Sequence, residues 1–559
     1  MRFLWAVLLA LVLPAGAQAM QPLVDDIPLT GAAGTRIAVS LAPPKLALTG
    51  RPAPIVVNIV ERSGNASGLV TVMLATGPTI VDISTVVVAA GGTTVLRRAP
   101  TFGAAGTVPL VVTVADAATG EAKSATTASL SVADFAFDPG SVLVPSFTGF
   151  GAQMNQHLYA QISQAAGVPP QPTEVEDAVV GLQPQFVRLF VNQSAFTMPD
   201  RMDSFVRTML LAQRAGATIN VTWQGGAFTD ETAQRFADVL VDLVRNRGVT
   251  GLRWVTIQNE VNSTNITPAQ NEAMYRSLDA RLRAAGVRDQ IHFMGGDLVQ
   301  TNQRAWFQYM AEHMSDLLDA YSIHVFWDYW DTAKLQQRLL DVRTIVDSLP
   351  AGGRKPVYVT EYGVRGQRVW AGATVTAPGV FSDGTPMRKT NVNAFQHLWF
   401  DVLATKLGFR GTVKWDSYYS KYDNGTQAFY MINGPDEAWS RNPVYWSTRF
   451  LTRSVLPGWR VVAVQGAVGT KVLTAFAGPG GGWTVLGLDA AGASSNGISP
   501  TVAPYAVGGL PPLSSAHLLV WNDTGDGSIV DGGAVQVDGA GIAHLAIPLH
   551  AAFVLTTLP

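Results

Sequence analysis

The sequence predicts a multidomain protein in which a (β/α)₈ TIM barrel is flanked by an N-terminal immunoglobulin-like β-sandwich and a C-terminal β-sandwich, a combination of α/β and all-β folds. Three observations lead to this fold class. The chain has 559 residues, too many for one ordinary domain. Strand-like runs alternate with amphipathic helical stretches in residues 138–450, whereas 20–137 and 451–559 contain mainly short strand-like runs.

The first 19 residues, MRFLWAVLLALVLPAGAQA, have the pattern of a secretory signal peptide. Arg2 precedes an apolar run of about ten residues, and Ala17-Gln18-Ala19 resembles a cleavage site. The apolar run is too short to span a bilayer. We therefore predict that the protein is secreted or periplasmic, with no membrane span after the signal is removed.

Composition excludes several classes of partner and chemistry. The 39 basic and 41 acidic residues leave a net charge of −2, and no basic stripe appears, which argues against a nucleic-acid partner. The chain has no cysteine, so it forms no disulfides and has no thiolate chemistry. The eight histidines show no metal-ligand spacing, so we predict neither a metal nor a cofactor. The oligomeric state cannot be read from the sequence.

Residues 20–137 are rich in Val, Thr, Ala and Gly, in short alternating runs separated by turn residues. This spacing is typical of an antiparallel sandwich of immunoglobulin type. The segment has no Trp or Tyr, and its only aromatic residues are Phe102, Phe135 and Phe137. Sugar-binding modules use aromatic platforms, so a spacer or packing domain is the better interpretation.

Eight apolar runs between residues 138 and 450 read as buried strands, and helical stretches fill the gaps, which is the arrangement of a (β/α)₈ barrel. A doubly wound open sheet is the main competitor, but no Gly-rich phosphate fingerprint follows a first strand. Thr267 to Gln270 form a capping box that begins one helix, and Gly286 ends it. The predicted strands are 146–154, 185–191, 217–223, 254–258, 291–296, 320–326, 356–362 and 411–416.

Residues 451–559 return to β character, with runs such as RVVAVQG, GWTVLGLD and AAFVLTTL separated by Gly- and Asp-rich turns. They predict a second sandwich.

Functional groups of such a barrel lie at the carboxyl ends of its strands. Reading each strand to its end selects polar and aromatic side chains on six of the eight strands as the candidate site. They are Arg188 and Asn192 on strand two, Trp223 and Gln224 on three, Asn259 and Glu260 on four, His324 on six, Glu361 and Tyr362 on seven, and Trp415 on eight. Asp297 and Asp416 are further candidates for binding hydroxyl groups.

Glu260 and Glu361 form the central pair of this set. A carboxylate at the tip of a buried strand is costly unless something there pairs with it or uses it. Strands four and seven face each other across a barrel mouth, so both carboxyl groups can flank one bond. A retaining glycosidase needs this arrangement, with ~5–5.5 Å between an acid and a nucleophile. The acid requires a raised pKa, and the nucleophile an ionised carboxylate, which Arg188 favours.

The Asn-Glu pair that ends strand four and the Glu of VTEYG on strand seven resemble the clan A glycoside hydrolases, the 4/7 superfamily of retaining barrels. The resemblance implies that Glu260 is the general acid/base and Glu361 the nucleophile. Arg188 in FVRLF, His324 in YSIHVFW and Trp415 match further positions of that superfamily, and the match covers a little over half the chain. No individual family within the clan is assigned.

The chain departs from the superfamily at one position. Many members have a Tyr near the end of strand six that points at the nucleophile, where this chain has Phe326. Tyr329 and Tyr362 are candidate substitutes. Tryptophans in the predicted mouth loops are candidate sugar subsites, with loop packing as the alternative; they are Trp327, Trp330 and Trp370.

The predicted function is hydrolysis of β-linked glycosides or polysaccharide by two glutamates, with an oligo- or polysaccharide as the partner. One alternative is a non-catalytic glycan-binding or adhesion protein built on the same barrel, and another is a transglycosylase. Two facing carboxyl groups favour catalysis, because sugar binding alone does not require them.

Overall fold

A computed structural model describes most of the chain. The described residues are 36–225, 229–327, 331–364, 385–420, 429–491, 501–522 and 529–558, together with the backbone of two short paired strands, Val375–Ala377 and Val380–Phe381. The predicted signal peptide lies outside the described residues, so export stays a prediction.

Eight parallel strands close into a barrel in chain order, which confirms the predicted architecture. Each predicted run overlaps one barrel strand. Their Val, Ile, Leu and Phe side chains are buried on both faces except for the partly exposed Phe326, as expected when helices cover a parallel sheet. The barrel strands, one to eight, are Gly149–Gln153, Phe186–Val191, Thr218–Trp223, Leu252–Thr256, His292–Leu298, Ala320–Trp327, Val357–Val364 and Gly411–Lys414.

One long helix follows each barrel strand: Thr173–Leu182, Pro199–Arg214, Asp230–Arg245, Pro268–Ala284, Gln303–His313, Thr332–Ser348, Asn391–Lys406 and Pro443–Ser454. Shorter helices are Gln161–Gln164, Gln193–Thr197, Val261–Ser263, Arg288–Gln290, Ala351–Gly353, Met387–Lys389, Pro435–Glu437 and Pro479–Gly481. The capping box predicted at Thr267 is present, and Gly286 follows that helix with a φ of 66°. Within the described part of the chain, no helix has the length and apolar character needed to cross a bilayer.

The N-terminal region forms two mainly antiparallel sheets that share one apolar core. Strands Ile37–Ala42, Ile55–Glu61 and Thr93–Arg98 make the first sheet. Strands Ala47–Leu48, Leu69–Thr76, Thr79–Val87, Gly106–Asp116 and Ala122–Ala133 make the second. The immunoglobulin-like character of this region stays a prediction.

The strands of the C-terminal region belong to one hydrogen-bonded sheet of nine strands, and the sandwich predicted for residues 451–559 stays a prediction. The sheet is not made by residues 451–559 alone, because Phe135–Val144 inserts between Arg460–Gln465 and Val502–Gly508. The boundary predicted at residue 137 therefore falls inside a strand. The remaining strands are Lys471–Ala477, Trp483–Asp489, Ser515–Trp521, Ile529–Gln536, Ala543–Pro548 and Ala552–Thr556.

The helix Asn391–Lys406 lies between the barrel and this sheet. All its residues from Val392 to Thr405 are buried, and it packs against the strand Lys471–Ala477. A helix that is enclosed on every side needs partners on every side. The C-terminal sheet therefore supports the wall that carries barrel strands seven and eight.

Candidate active site

The backbone at the ends of barrel strands four and five has an uncommon conformation. Gln258, Glu260 and Asp297 have φ angles of 71°, 48° and 51°, in the left-handed region that non-glycine residues rarely adopt. Such strain costs on the order of 1–3 kcal/mol per residue and persists where surrounding contacts enforce it. At strand four, the Asn259 amide donates to the Trp223 carbonyl, at 3.0 Å, and thereby ties this turn to strand three.

The structure brings Glu260 and Glu361 together around one histidine. His324 Nδ1 lies 3.1 Å from Glu260 Oε1 and 3.9 Å from Glu361 Oε2. One carboxylate oxygen of each glutamate and a ring nitrogen of His324 all lie within 4.8 Å of one another. Residues from strands four, six and seven thus form the compact group that the strand-end positions predict.

Arg188 anchors this group from strand two. Its guanidinium is fully buried and donates from Nη1 to Glu361 Oε2, at 2.7 Å. Nη2 donates to Asn259 Oδ1 and to Asp297 Oδ2, both at 2.6 Å. Nε donates to Thr222 Oγ1, at 2.9 Å. Every nitrogen of the planar group has an acceptor, so the position of Arg188 is fixed by contacts to several strands.

Asp297 was predicted only as a group that binds substrate hydroxyls, but it lies fully buried between Arg188 and His324. Its Oδ1 is 3.5 Å from His324 Nε2 and accepts hydrogen bonds from Ser322 Oγ, at 2.8 Å, and Thr360 Oγ1, at 2.5 Å. The sequence marks its place at the end of strand five but not its partners, because Arg188 is 109 residues away. Gln153, at 3.3 Å from Arg188 Nη1, is a second contributor that sequence reasoning missed.

The pKa directions in the free protein differ from the sequence-based expectation. The hydrogen bond from His324 lowers the pKa of Glu260, whereas burial raises the pKa of Glu361. The expectation of a raised pKa at Glu260 is therefore wrong for the free protein. The physical reason is the His324 hydrogen bond, which outweighs burial at Glu260; the Glu260 side chain is 32% exposed and that of Glu361 only 9%. One imidazole contacts both carboxyl groups, so protonation of either glutamate changes the pKa of the other.

The charges of the group favour one retained proton. Burial lowers the pKa of His324, but the carboxylates of Glu361, Asp297 and Glu260 outweigh it and raise that pKa to about 9. Arg188 and His324 hold the pKa of Asp297 far below its ordinary value, against the effect of burial. Two cations then face three carboxyl groups. One proton on the glutamate pair makes the group neutral, which a low-dielectric interior favours.

Trp415 lies at the end of strand eight and is partly exposed. Its amide donates to the Tyr362 carbonyl, at 2.9 Å, and its ring contacts the Phe190 ring edge-on, with 5.8 Å between centroids. Lys414 Nζ donates to the Trp415 carbonyl, at 2.7 Å. Asp416 is buried and accepts a hydrogen bond from the Ser417 amide, at 2.7 Å, which is a structural contact.

Tyr362 and Trp327 lie behind the barrel wall and not in the mouth, which corrects their predicted place. Both are buried and contact the Phe400 ring, Tyr362 by stacking and Trp327 at a tilt of 30°. The Tyr362 hydroxyl donates to Asp401, at 2.7 Å. Successive side chains of a strand point to opposite faces, so Tyr362 points outward because Glu361 points inward. Tyr329, Trp330 and Trp370 lie outside the described residues.

Three further predicted residues lie at the ends of strands two and three. Trp223 is 1% exposed and stacks on Phe196, so its ring belongs to the core. Asn192 begins a short helix, because its Oδ1 accepts the Ser194 amide, at 3.1 Å. These contacts give both residues structural roles. Gln224 is partly exposed next to the mouth, where it stays a candidate for substrate contact.

Glu260, His324 and Glu361 are also, among the described residues, the group whose ligand atoms lie close enough to hold a metal. The buried Arg188 cation already pairs with Glu361 Oε2, at 2.7 Å, so a metal ion bound there would meet a like charge. The residues present therefore suit proton transfer better than metal binding. The absence of a metal stays a prediction.

No protein-family model and no curated protein matches the sequence. Solved structures do. The catalytic domain of GH30 xylanase C from Talaromyces cellulolyticus has a TM-score of 0.53 at 12% identity, covering 76% of this chain and 100% of its own. An α-L-arabinofuranosidase from Thermotoga maritima has a TM-score of 0.54 at 13% identity, covering 76% of this chain and 99% of its own. SrfJ from Salmonella typhimurium has a TM-score of 0.52 at 11% identity, covering 88% of this chain and 100% of its own.

The xylanase and the arabinofuranosidase align with this chain over nearly their whole length. The resemblance predicted from the strand-end residues is thereby confirmed for the fold. Identities of 11–13% establish the shared fold alone. The activity of this chain must be argued from its own site.

Proposed function

We propose that this protein is a secreted retaining glycoside hydrolase in which Glu361 is the nucleophile and Glu260 the general acid/base. The observation that carries the proposal is the separation of the two glutamates, whose nearest carboxylate oxygens lie within 4.8 Å. Retaining enzymes place their carboxyl groups ~5–5.5 Å apart, whereas inverting enzymes need ~6.5–9.5 Å to admit a water molecule.

In the first step, Glu361 Oε attacks the anomeric carbon while the bond to the leaving oxygen breaks. Arg188 holds the nucleophile in place through the 2.7 Å ion pair. Glu260, the more exposed carboxyl group, gives a proton to the leaving oxygen. In the free protein the pKa directions favour Glu361 as the protonated member of the pair, so this step requires the shared proton to pass to Glu260 when substrate is bound. The products are a glycosyl ester of Glu361 and a free alcohol.

In the second step, Glu260 takes a proton from water, whose oxygen attacks the same carbon and releases Glu361 as a carboxylate. The imidazolium of His324 contacts both glutamates, so it stabilises whichever one is ionised at each stage. Asn259 Oδ1 accepts from Arg188, which fixes the orientation of its amide beside the acid. That amide is then pre-organised to contact a sugar hydroxyl.

The substrate class is proposed from the strand-end residues and from the structural neighbours. The strand-end residues resemble those of enzymes that cleave β-linked glycosides, and two structural neighbours are named xylanase and α-L-arabinofuranosidase. Pentose-containing polysaccharides and aryl pentosides are therefore the first substrates to test. The predicted signal peptide is compatible with a polysaccharide encountered outside the cytoplasm.

The test is product analysis by mass spectrometry and NMR. Wild-type protein is incubated with xylan, other β-linked polysaccharides, aryl β-glycosides and an aryl α-L-arabinofuranoside. We expect release of sugar with retained anomeric configuration, and a loss on the order of 10⁴-fold in Glu361→Gln. Glu231→Gln, at an exposed helical glutamate, is the matched control and keeps full activity.

Two results would contradict the proposal. If Glu361→Gln turns over substrate at the wild-type rate, Glu361 is not the nucleophile. If the first product has an inverted anomeric configuration, the mechanism is not retaining. A covalent aziridine-type probe provides a second measurement, because it labels Glu361 only when that carboxylate is a working nucleophile. Sugar binding without labelling or release would instead support the glycan-binding alternative.

A further inference from the structure

Asp297 contacts both cations of the site but neither glutamate by a hydrogen bond in the described structure. Its Oδ2 accepts from Arg188 Nη2, at 2.6 Å, and from Thr222 Oγ1, at 3.3 Å. Its Oδ1 faces His324 Nε2, at 3.5 Å. The carboxylate is fully buried, so no substrate hydroxyl reaches it without a rearrangement of the barrel interior.

We propose that Asp297 is a positioning residue of the glycosidase centre, which holds Arg188 against Glu361 and orients His324 toward Glu260. The inference rests on the proposed function and extends it to a third carboxylate. Asp297 acts through the two cations and not on the substrate.

The contacts to Arg188 carry the first part of the proposal. Without Asp297, Nη2 of Arg188 would keep only the hydrogen bond to the neutral Asn259 Oδ1, at 2.6 Å, beside the ion pair of Nη1 with Glu361. Asp297 holds Nη2 while Nη1 contacts Glu361, so the two carboxylates occupy different nitrogens of one rigid plane. The nucleophile is thereby fixed relative to the barrel and not only relative to Arg188.

The contacts to His324 carry the second part. The two ring nitrogens point in opposite directions, so a carboxylate at Nε2 fixes which way Nδ1 points. With Asp297 at Nε2, Nδ1 faces Glu260 at 3.1 Å. The backbone supports this arrangement, because the Asp297 amide donates to Ser322 Oγ, at 2.6 Å, and the Ser322 hydroxyl donates back to Oδ1.

The charge of Asp297 also decides whether the glutamate pair keeps a proton. The titratable groups that face it are Arg188, His324, Glu260 and Glu361, with the buried hydroxyl of Tyr275 beyond them. With Asp297 ionised, two cations face three carboxyl groups and one proton balances the charge. Without it, two cations balance two ionised glutamates, and the general acid loses its proton.

The substitution Asp297→Asn tests this role because it keeps the shape and removes the charge. We expect kcat to fall by ~10²-fold with KM little changed, since the defect lies in placing the reacting groups. We also expect the basic limb of the pH–rate profile to move to lower pH, because the general acid loses its proton more readily.

A second measurement needs no substrate. In protein labelled with ¹⁵N-histidine, the His324 signal is identified by its absence in His324→Asn. We expect the pKa of His324, about 9 in the wild type, to fall by about one unit in Asp297→Asn.

The outcomes separate this inference from the proposed function. A wild type that cleaves no glycoside contradicts the function, whereas wild-type kcat and an unchanged His324 pKa in Asp297→Asn overturn the positioning role. If Asp297→Asn does not fold, Thr360→Val removes one hydrogen bond to Oδ1 and keeps the charge. We then expect kcat to fall by roughly tenfold with an unchanged KM, and wild-type kcat in Thr360→Val would overturn the proposal.

Discussion

Two buried groups of charged residues lie on opposite sides of the barrel wall and behave differently. In the mouth, Arg188 contacts the carboxylates of Asp297 and Glu361 directly, at 2.6 and 2.7 Å. Behind strand eight, Lys414 donates to the backbone carbonyls of Trp415 and Phe429 and makes no ion pair with Asp401 among the described contacts. Both groups are enclosed by protein, so the difference lies in their pairing.

The pKa directions follow from this difference. Burial lowers the pKa of Lys414 to about 7 and raises the pKa of Asp401 to about 7, so both groups tend toward their neutral forms. In the mouth, direct contacts keep Asp297 ionised and His324 protonated despite complete burial. Buried charge survives where ion pairs and hydrogen bonds replace water, and a catalytic centre needs that charge.

The largest expected effect comes from breaking the paired group. Arg188→Lys keeps one positive charge but cannot contact Glu361, Asp297 and Asn259 together. We expect kcat to fall by ~10²–10³-fold and the free energy of unfolding to fall by about 3 kcal/mol. Steady-state kinetics and denaturant unfolding measure these changes.

Arg288→Lys is the matched control for that prediction, because Arg288 is also buried and pairs with Asp279, at 2.7 Å, far from the mouth. It should lose stability and keep kcat. Equal losses of kcat in both variants would show that the Arg188 effect is not specific to the site.

The second largest effect is expected in the pH dependence of stability, which differs between His324 in the mouth and Lys414 behind strand eight. The pKa of His324 rises from 6.5 to about 9 on folding, so its stabilisation is complete below pH 6.5 and is lost as the pH rises through 9. The pKa of Lys414 falls from 10.5 to about 7, so stability rises with pH between those values. The two slopes are opposite, each up to about 1.4 kcal/mol per pH unit.

Unfolding measured from pH 6.5 to 10 in two variants tests these slopes. His324→Asn should remove the contribution to stability that is lost as the pH rises, and Lys414→Met should remove the contribution that grows as the pH rises. Lys414→Met also removes the hydrogen bonds of Nζ to the Trp415 and Phe429 carbonyls, at a cost of about 1–2 kcal/mol, and the Phe429 carbonyl keeps the Asp416 amide as a donor. If stability depends on pH in the same way in both variants and in the wild type, the opposite contributions of His324 and Lys414 are contradicted.

The smallest effect is expected at Tyr362, which neighbours the nucleophile in sequence but faces the other way. Tyr362→Phe removes the hydrogen bond to Asp401 and should lower the free energy of unfolding by about 1–2 kcal/mol. Activity should stay within about twofold of the wild type, because the hydroxyl lies outside the barrel interior. A large loss of kcat at unchanged stability would place Tyr362 in the catalytic mechanism.

Strand-end position is enough to predict some site residues from the sequence, whereas others are defined by contacts between strands that are distant in the chain. Glu260, Glu361 and His324 each end a recognisable apolar strand, so the rule that places function at strand ends selects them. Tyr362 and Trp327 also lie near strand ends, but the side of the wall they face depends on the pleat of each strand. The sequence predicts Asp297 only as a hydroxyl-binding residue, because its partners come from strands two, three, six and seven.

The sequence by itself determined the eight-stranded barrel, the β-rich regions on both sides and the two central glutamates. It could do so because strand periodicity, helix caps and strand-end position are local properties of the chain. Only the tertiary structure decided that Phe135–Val144 joins the C-terminal sheet, that Asp297 lies between Arg188 and His324, and which glutamate is more buried. Strand pairing, ion pairing and desolvation depend on groups far apart in sequence, so packing sets them.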